Sequence, residues 1–84
     1  MDIFTALADP TRRKILKMLS RRQMSAGEIA VKFEMTGSAI SQHLKALRSA
    51  NLVLVQVDAQ RRLYSFNASG LKKFNQFLVD LATL

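Results

Sequence analysis

The stretch Thr-Gly-Ser-Ala-Ile-Ser-Gln-His-Leu-Lys-Ala-Leu-Arg, residues 36–48, admits few readings. Its large apolar residues, Ile40, Leu44 and Leu47, recur at spacings of four and three, which sets them on one side of a helix facing inward. Ser38, Ser41, Gln42 and Lys45 then share the other side, within about one helical turn of each other. Thr36 is a good N-cap, its hydroxyl placed to accept from the backbone N–H of Ser38 or Ala39. The outer side carries hydroxyls, an amide and an ammonium but no carboxylate, whereas a solvated face ordinarily mixes acids with bases. Short side chains let such a helix approach a groove closely, and a Gln amide can bond bidentately to an adenine edge. The pattern predicts a DNA recognition helix.

The residues before it supply the partner helix. Ser25-Ala-Gly-Glu28 fits a capping box and opens a short helix to about Phe33 that buries Ile29, Ala30 and Phe33. Glu34-Met35 make a tight turn, and the pair of helices reads as a helix-turn-helix. Gly37, at the start of the second helix, leaves room for a phosphate to reach the N–H groups at the positive helix end. Further upstream, Asp9-Pro10 is a helix start, with Asp9 as cap. That helix runs to about Ser20 or Arg21 with Ile15, Leu16 and Leu19 inward. It has no acid from residue 10 to residue 22, and its basic residues, Arg12 and Arg13 among them, suggest a surface near phosphates. The alternative is a solvated charged face. Residues 2–8 form a short apolar segment that must dock to be stable.

Composition agrees. Eighty-four residues make one domain, 1–84, and 49% hydrophobic content excludes disorder. Thirteen Lys and Arg against six Asp and Glu give a net charge of +7, which points first to nucleic acid. No apolar run approaches the roughly 20 residues a membrane span needs, and the start Met-Asp-Ile-Phe lacks the basic opening of a signal peptide. With zero cysteines there are no disulfides and no thiol sensing. The expected compartment is the cytoplasm.

Downstream, Asn51 ends the recognition helix. Leu52–Val57 and Arg62–Phe66 read as strands of a hairpin with the four-residue loop Asp58-Ala-Gln-Arg61, Asp58 suiting the first position of a type I turn. Arg61 and Arg62 at its tip suit a wing that touches a minor groove or backbone; otherwise they blunt an edge strand. Asn67 or Ser69 caps a last helix. Its Leu71, Phe74, Leu78 and Leu81 follow seam spacing with Phe77 beside them. Together with Ile3, Phe4 and Leu7 they are expected to form a two-fold interface between copies, the alternative being a helix that caps only its own core. The fold expected is mainly α with a small β-hairpin, a winged helix-turn-helix in the order α-α-α-α-β-β-α.

Five segments resemble the ArsR/SmtB family of bacterial repressors: Ala6-Leu-Ala-Asp-Pro-Thr-Arg-Arg-Lys-Ile-Leu16, Gly27-Glu-Ile-Ala30, Ser41-Gln-His-Leu-Lys-Ala-Leu-Arg48, Asn51-Leu-Val53 and Arg62-Leu-Tyr64. Within the family the sequence is most similar to the SdpR-type autorepressors. The resemblance implies a homodimer on an inverted repeat in its own promoter. Ser38, Ser41, Gln42 and Lys45 would read bases, while Thr36, the Gly37 N–H, Arg61 and Arg62 would hold phosphates or the minor groove. His43 falls beside Ile40 and Leu47 and is expected to pack at the edge, bonding a carbonyl or a phosphate. The sequence departs from metal-sensing members. Their Glu-Leu-Cys-Val-Cys stretch falls on Glu28-Ile-Ala-Val-Lys32, and the last helix offers Asp80 alone, so no metal or cofactor is expected.

Nothing here supports an enzyme. Ser41 and His43 diverge on a helix, and no phosphate loop or carboxylate pair appears. The rival to a repressor is a winged-helix adaptor whose seam and basic face bind another protein. Relief of DNA binding by a sequestering protein partner also stays open.

Overall fold

The computed structural model describes residues 1–83. Five α-helices, α1 (Ile3–Leu7), α2 (Pro10–Leu19), α3 (Ala26–Phe33), α4 (Gly37–Ser49) and α5 (Lys72–Ala82), surround a small antiparallel sheet. Its strands are β1 (Met24–Ser25), β2 (Val53–Asp58) and β3 (Arg61–Phe66), in the order β1-β3-β2. This is the winged helix-turn-helix expected from the sequence, with one strand more than the hairpin.

The first four helices start where a side chain satisfies an orphaned backbone donor. Asp2 accepts from the Thr5 N–H at 3.0 Å and Asp9 from the Arg12 N–H at 3.0 Å. Ser25 and Glu28 form the reciprocal capping box, and Thr36 accepts from the Ala39 N–H at 3.1 Å. Both helices of the helix-turn-helix end in the same way. Glu34 (φ 53) and Asn51 (φ 62) take left-handed backbones. Behind them the Met35 N–H reaches the Ala30 carbonyl, and the Leu52 N–H reaches that of Leu47. This is the Schellman closure, and at Asn51 its apolar pair, Leu47 with Leu52, is fully buried.

The core joins Ile15, Leu16 and Leu19 of α2 to Ile29 of α3, the three inward residues of α4, and Leu52 and Val53. Phe33, expected inside, is only half-buried. Ile3 and Ala6 also enter this core, so Ile3, expected at an interface between copies, has 6% of its surface left to offer one. Leu7, Leu71 and Phe74 are partly buried against the same core.

Several expectations need correction. Arg12 and Arg13 have a role inside the protomer that the sequence reading did not foresee: Arg12 Nε and Nη2 donate to the carbonyls of Ala6 (2.7 Å) and Thr5 (3.1 Å), and Arg13 Nη1 to that of Leu7 (2.6 Å). They close the C-terminal end of a five-residue helix that could not stand alone. The hairpin loop is two residues, Ala59 and Gln60, because Asp58 and Arg61 still pair in the ladder. Ala59 has φ 56, which a type I turn does not permit. Neither Asn67 nor Ser69 caps α5. A 3-10 turn, Ala68–Leu71, precedes it, and the Asn67 amide instead donates to the Asn51 carbonyl at 3.0 Å. Gly70 lies so close to that same loop that a Cβ would fall 2.0 Å from the Asn51 carbonyl oxygen.

Candidate nucleic-acid interface

The outward side of α4 is built by the burial of its inward one. With Ile40, Leu44 and Leu47 at 0–1% exposure, Ser38, Ser41, Gln42 and Lys45 have nowhere to go but solvent, and all four are exposed. Thr36 and Gly37 are exposed at the helix start. The Thr36 hydroxyl is committed to the cap, which leaves the Gly37 and Ser38 N–H groups directed outward at the positive end of a 13-residue helix. A Cβ on Gly37 would meet nothing within 4 Å, so packing inside the protomer does not demand glycine there.

Beside this helix the wing is held by its ladder. β3 is the central strand at Leu63 and Tyr64, where β1 pairs on its far side, but Arg61 and Arg62 lie beyond the end of β1. They therefore project from the distal part of the hairpin, where β3 pairs with β2 alone and its other side is open, so the charge-blunted edge weighed for them applies there as well.

Between α4 and the wing runs a groove of about 610 Å³. Ser41, Lys45 and Arg48 line one wall, Arg61, Arg62 and Tyr64 the other, and the N-terminus of α3 at Ser25–Gly27 closes the end. No carboxylate lines it. The single ion pair among the described residues is Arg22 with Glu28 at 3.2 Å, so the four groove cations have no acidic partner there. Asp58, opposite Arg61 in the ladder, is the nearest acid along the wing.

The structure thus brings Ser41, Lys45, Arg61 and Arg62 into one groove. Thr36, Gly37, Ser38 and Gln42 extend the same helix away from it and do not line it. His43 is half-buried near Asp9. The Asp9 carboxyl is held below its usual range first by the Arg12 N–H it accepts; nearby positive charge, that of His43 included, adds to this against the opposing effect of burial. Sequence reasoning missed Arg48 and Tyr64. Arg48 sits three residues after Lys45 and seven after Ser41, so helical periodicity alone could have found it. Tyr64 faces the groove only because of the strand register, which has no local signal.

Residues 9–54 match the family described as bacterial regulatory protein, arsR family, more than half of the chain. The chain is 39% identical over 71 residues to the transcriptional repressor SdpR of Bacillus subtilis, covering 84% of this chain and 79% of that protein. This chain belongs to the arsR family. It is also 39% identical over 77 residues to the nodulation protein NolR of Rhizobium meliloti, covering 92% of this chain but only 63% of the relative. An ArsR-like transcriptional regulator from Rhodococcus sp. RHA1 superposes with a TM-score of 0.85 at 31% identity, over 96% of this chain and 76% of the other. The arsR-family match begins at the Asp9 cap and ends within β2, so it covers α2, the helix-turn-helix and the entry to the wing. Membership makes the chain a transcriptional regulator with a DNA-binding fold, and not an enzyme. Among the described residues no group of three His, Cys, Asp or Glu could hold a metal, and no helix is long and apolar enough to cross a membrane.

Proposed function

We propose that the protein is a cytoplasmic repressor that binds an inverted-repeat operator, its own promoter included, as a homodimer. One observation carries the reading: the carboxylate-free groove in which Ser41, Lys45 and Arg48 of α4 face Arg61 and Arg62 of the wing. A recognition helix in the major groove would use Ser38, Ser41, Gln42 and Lys45 on base edges. The Gly37 and Ser38 N–H groups, Arg48, Arg61 and Arg62 would hold phosphates, with a wing Arg reaching the minor groove. Pairing of copies is supported by α5, which has no buried residue. Phe77, Leu78, Val79 and Leu81 are 44–54% exposed, and Phe4 adds its ring to Phe77 at 5.3 Å. A two-fold contact through α1 and α5 would cover this surface.

Titration of the gene's upstream fragment against scrambled fragments, over a range of salt, tests the reading. Selective retention is expected, with log affinity falling linearly in log salt. Four cations per protomer on phosphates would give a slope of roughly −7 for a dimer. Equal retention of native and scrambled fragments, or a monomer at low micromolar concentration by sedimentation, would overturn it, the monomer in favour of an adaptor for another protein.

A further inference from the structure

The outward stripe of α2 has no part in the groove just described. Ile15, Leu16 and Leu19 face the core against which α4 packs, so Lys14, Lys17, Met18 and Arg21, spaced three and four apart, point away from the recognition helix. Across from them lies the C-terminal half of α3, with Lys32 and Phe33. Two depressions of about 400 and 380 Å³ share Met18, Arg21 and Lys32, and so form one continuous trough. Its floor is apolar, made of Met18, Met24 and Phe33; its rim is cationic, and no carboxylate lines either half. Arg22 is neutralised by Glu28, whereas Lys14, Lys17, Arg21 and Lys32 have no acidic partner within 4.0 Å among the described residues.

We propose that this trough docks an acidic amphipathic helix from a protein partner. A cationic rim complements carboxylates, and thioether and phenyl groups at the floor adapt to inserted Leu or Phe side chains. From Lys14 to Arg21 the rim runs about 10 Å, room for roughly two turns of helix. A phosphate backbone would use the cations but leave the apolar floor idle, and no residue of the trough lines the groove between α4 and the wing. The partner therefore binds the repressor without displacing it from DNA, which distinguishes this contact from a sequestering one. The inference goes beyond the operator-binding reading, and its first test needs no DNA.

Selection of 16-residue peptides from a random displayed library, on the full chain, is the experiment. The result expected is enrichment of sequences with a net negative charge and apolar residues at i, i+3, i+4 spacing. Their binding should fall at least tenfold on the triple variant Lys14→Gln, Lys17→Gln, Arg21→Gln, whose sites are all exposed, and at least threefold on Met18→Ser. A scrambled peptide of equal charge should bind at least tenfold more weakly. Adding a selected peptide to the protein–DNA complex should give a ternary species. Enrichment without acidic bias, no enrichment, or binding indifferent to the triple variant would overturn the proposal. So would competition with operator DNA, or a triple variant that loses random-duplex or phosphatidylglycerol-vesicle binding while peptide binding is unchanged. Failure of operator recognition alone would leave the peptide result standing.

Discussion

Helices α4 and α5 are nearly matched in length, 13 and 11 residues, and both are amphipathic, yet they end in opposite states. α4 buries its apolar side to completion inside the protomer, and what it presents outward is polar and basic. α5 buries nothing completely; Phe74, with Leu71 of the turn before it, leans on the core, and the next two turns leave apolar side chains half in solvent. The radius of gyration, 13.5 Å, exceeds the ~12 Å of a compact chain this long. An amphipathic pattern therefore states that a helix has an apolar side, and only the rest of the fold states whether that side is finished.

The comparison is broken most directly by truncation. Leu44→Ala should remove about 2–5 kcal/mol of stability at every protein concentration, measured by urea unfolding. Leu78→Ala should instead lower stability only where copies associate, and should raise the concentration at which sedimentation shows a dimer. Equal, concentration-independent losses would mean that both helices serve one core. Gly70→Ala sharpens the contrast at the joint between the two helices. A Cβ 2.0 Å from a backbone oxygen forces α5 to move, and a loss of about 1–3 kcal/mol is expected from the same unfolding experiment.

On the polar side of α4, Gln42→Ala should cost about 1–3 kcal/mol on operator and little on random DNA. Arg61→Ala should weaken both alike and flatten the salt dependence by about one unit for each phosphate the side chain would otherwise neutralise. Equal losses on both DNAs for Gln42→Ala would remove Gln42 from base reading.

The helix caps give a pH test. The Asp2, Asp9 and Glu28 carboxyls are each held below their usual range, first by the backbone N–H they accept, from Thr5, Arg12 and Ser25 respectively. The folded state therefore favours the ionised form. Its stabilisation is complete above the ordinary carboxylate range near ~4 and is lost as pH falls through the lowered values. Urea midpoints should decline with acidification, and Asp9→Asn should flatten that decline. The smallest effect belongs to the wing: Ala59→Gly relieves a left-handed alanine and should add about 0.5 kcal/mol to stability while leaving operator preference unchanged.

What the sequence made legible was whatever is encoded locally. Asp9-Pro10, the Ser25–Glu28 box and Thr36 announce helix starts because the capping atoms lie within three residues of the groups they satisfy. Asn51 announces a stop because a left-handed backbone suits it. What escaped depends on distant partners. β1 is two residues long and exists because Leu63 and Tyr64 offer it a ladder. The Asn67 amide looks like a helix cap until the Asn51 carbonyl, sixteen positions away, claims it. Arg12 and Arg13 read from sequence only as surface cations, because their bonds to the carbonyls of Thr5, Ala6 and Leu7 depend on how α1 folds back on α2. The hairpin loop was overcounted because no glycine marks the residue that turns. In the groove, Ser41, Lys45 and the arginine pair were readable from type and period, whereas the apposition of Tyr64 was not.

Asn51 is at once the stop of one helix and the abutment of the next. Its carbonyl meets the Asn67 amide and leaves no room for a Cβ on Gly70, so the pivot from which α5 departs is packed directly against it. If two copies join through α5, that pivot works as a ruler: it fixes how far apart the reading heads stand, and with it how many base pairs separate the halves of the target. Variation at residue 70 would then alter the spacing of the sites tolerated, leaving untouched which bases are preferred within each.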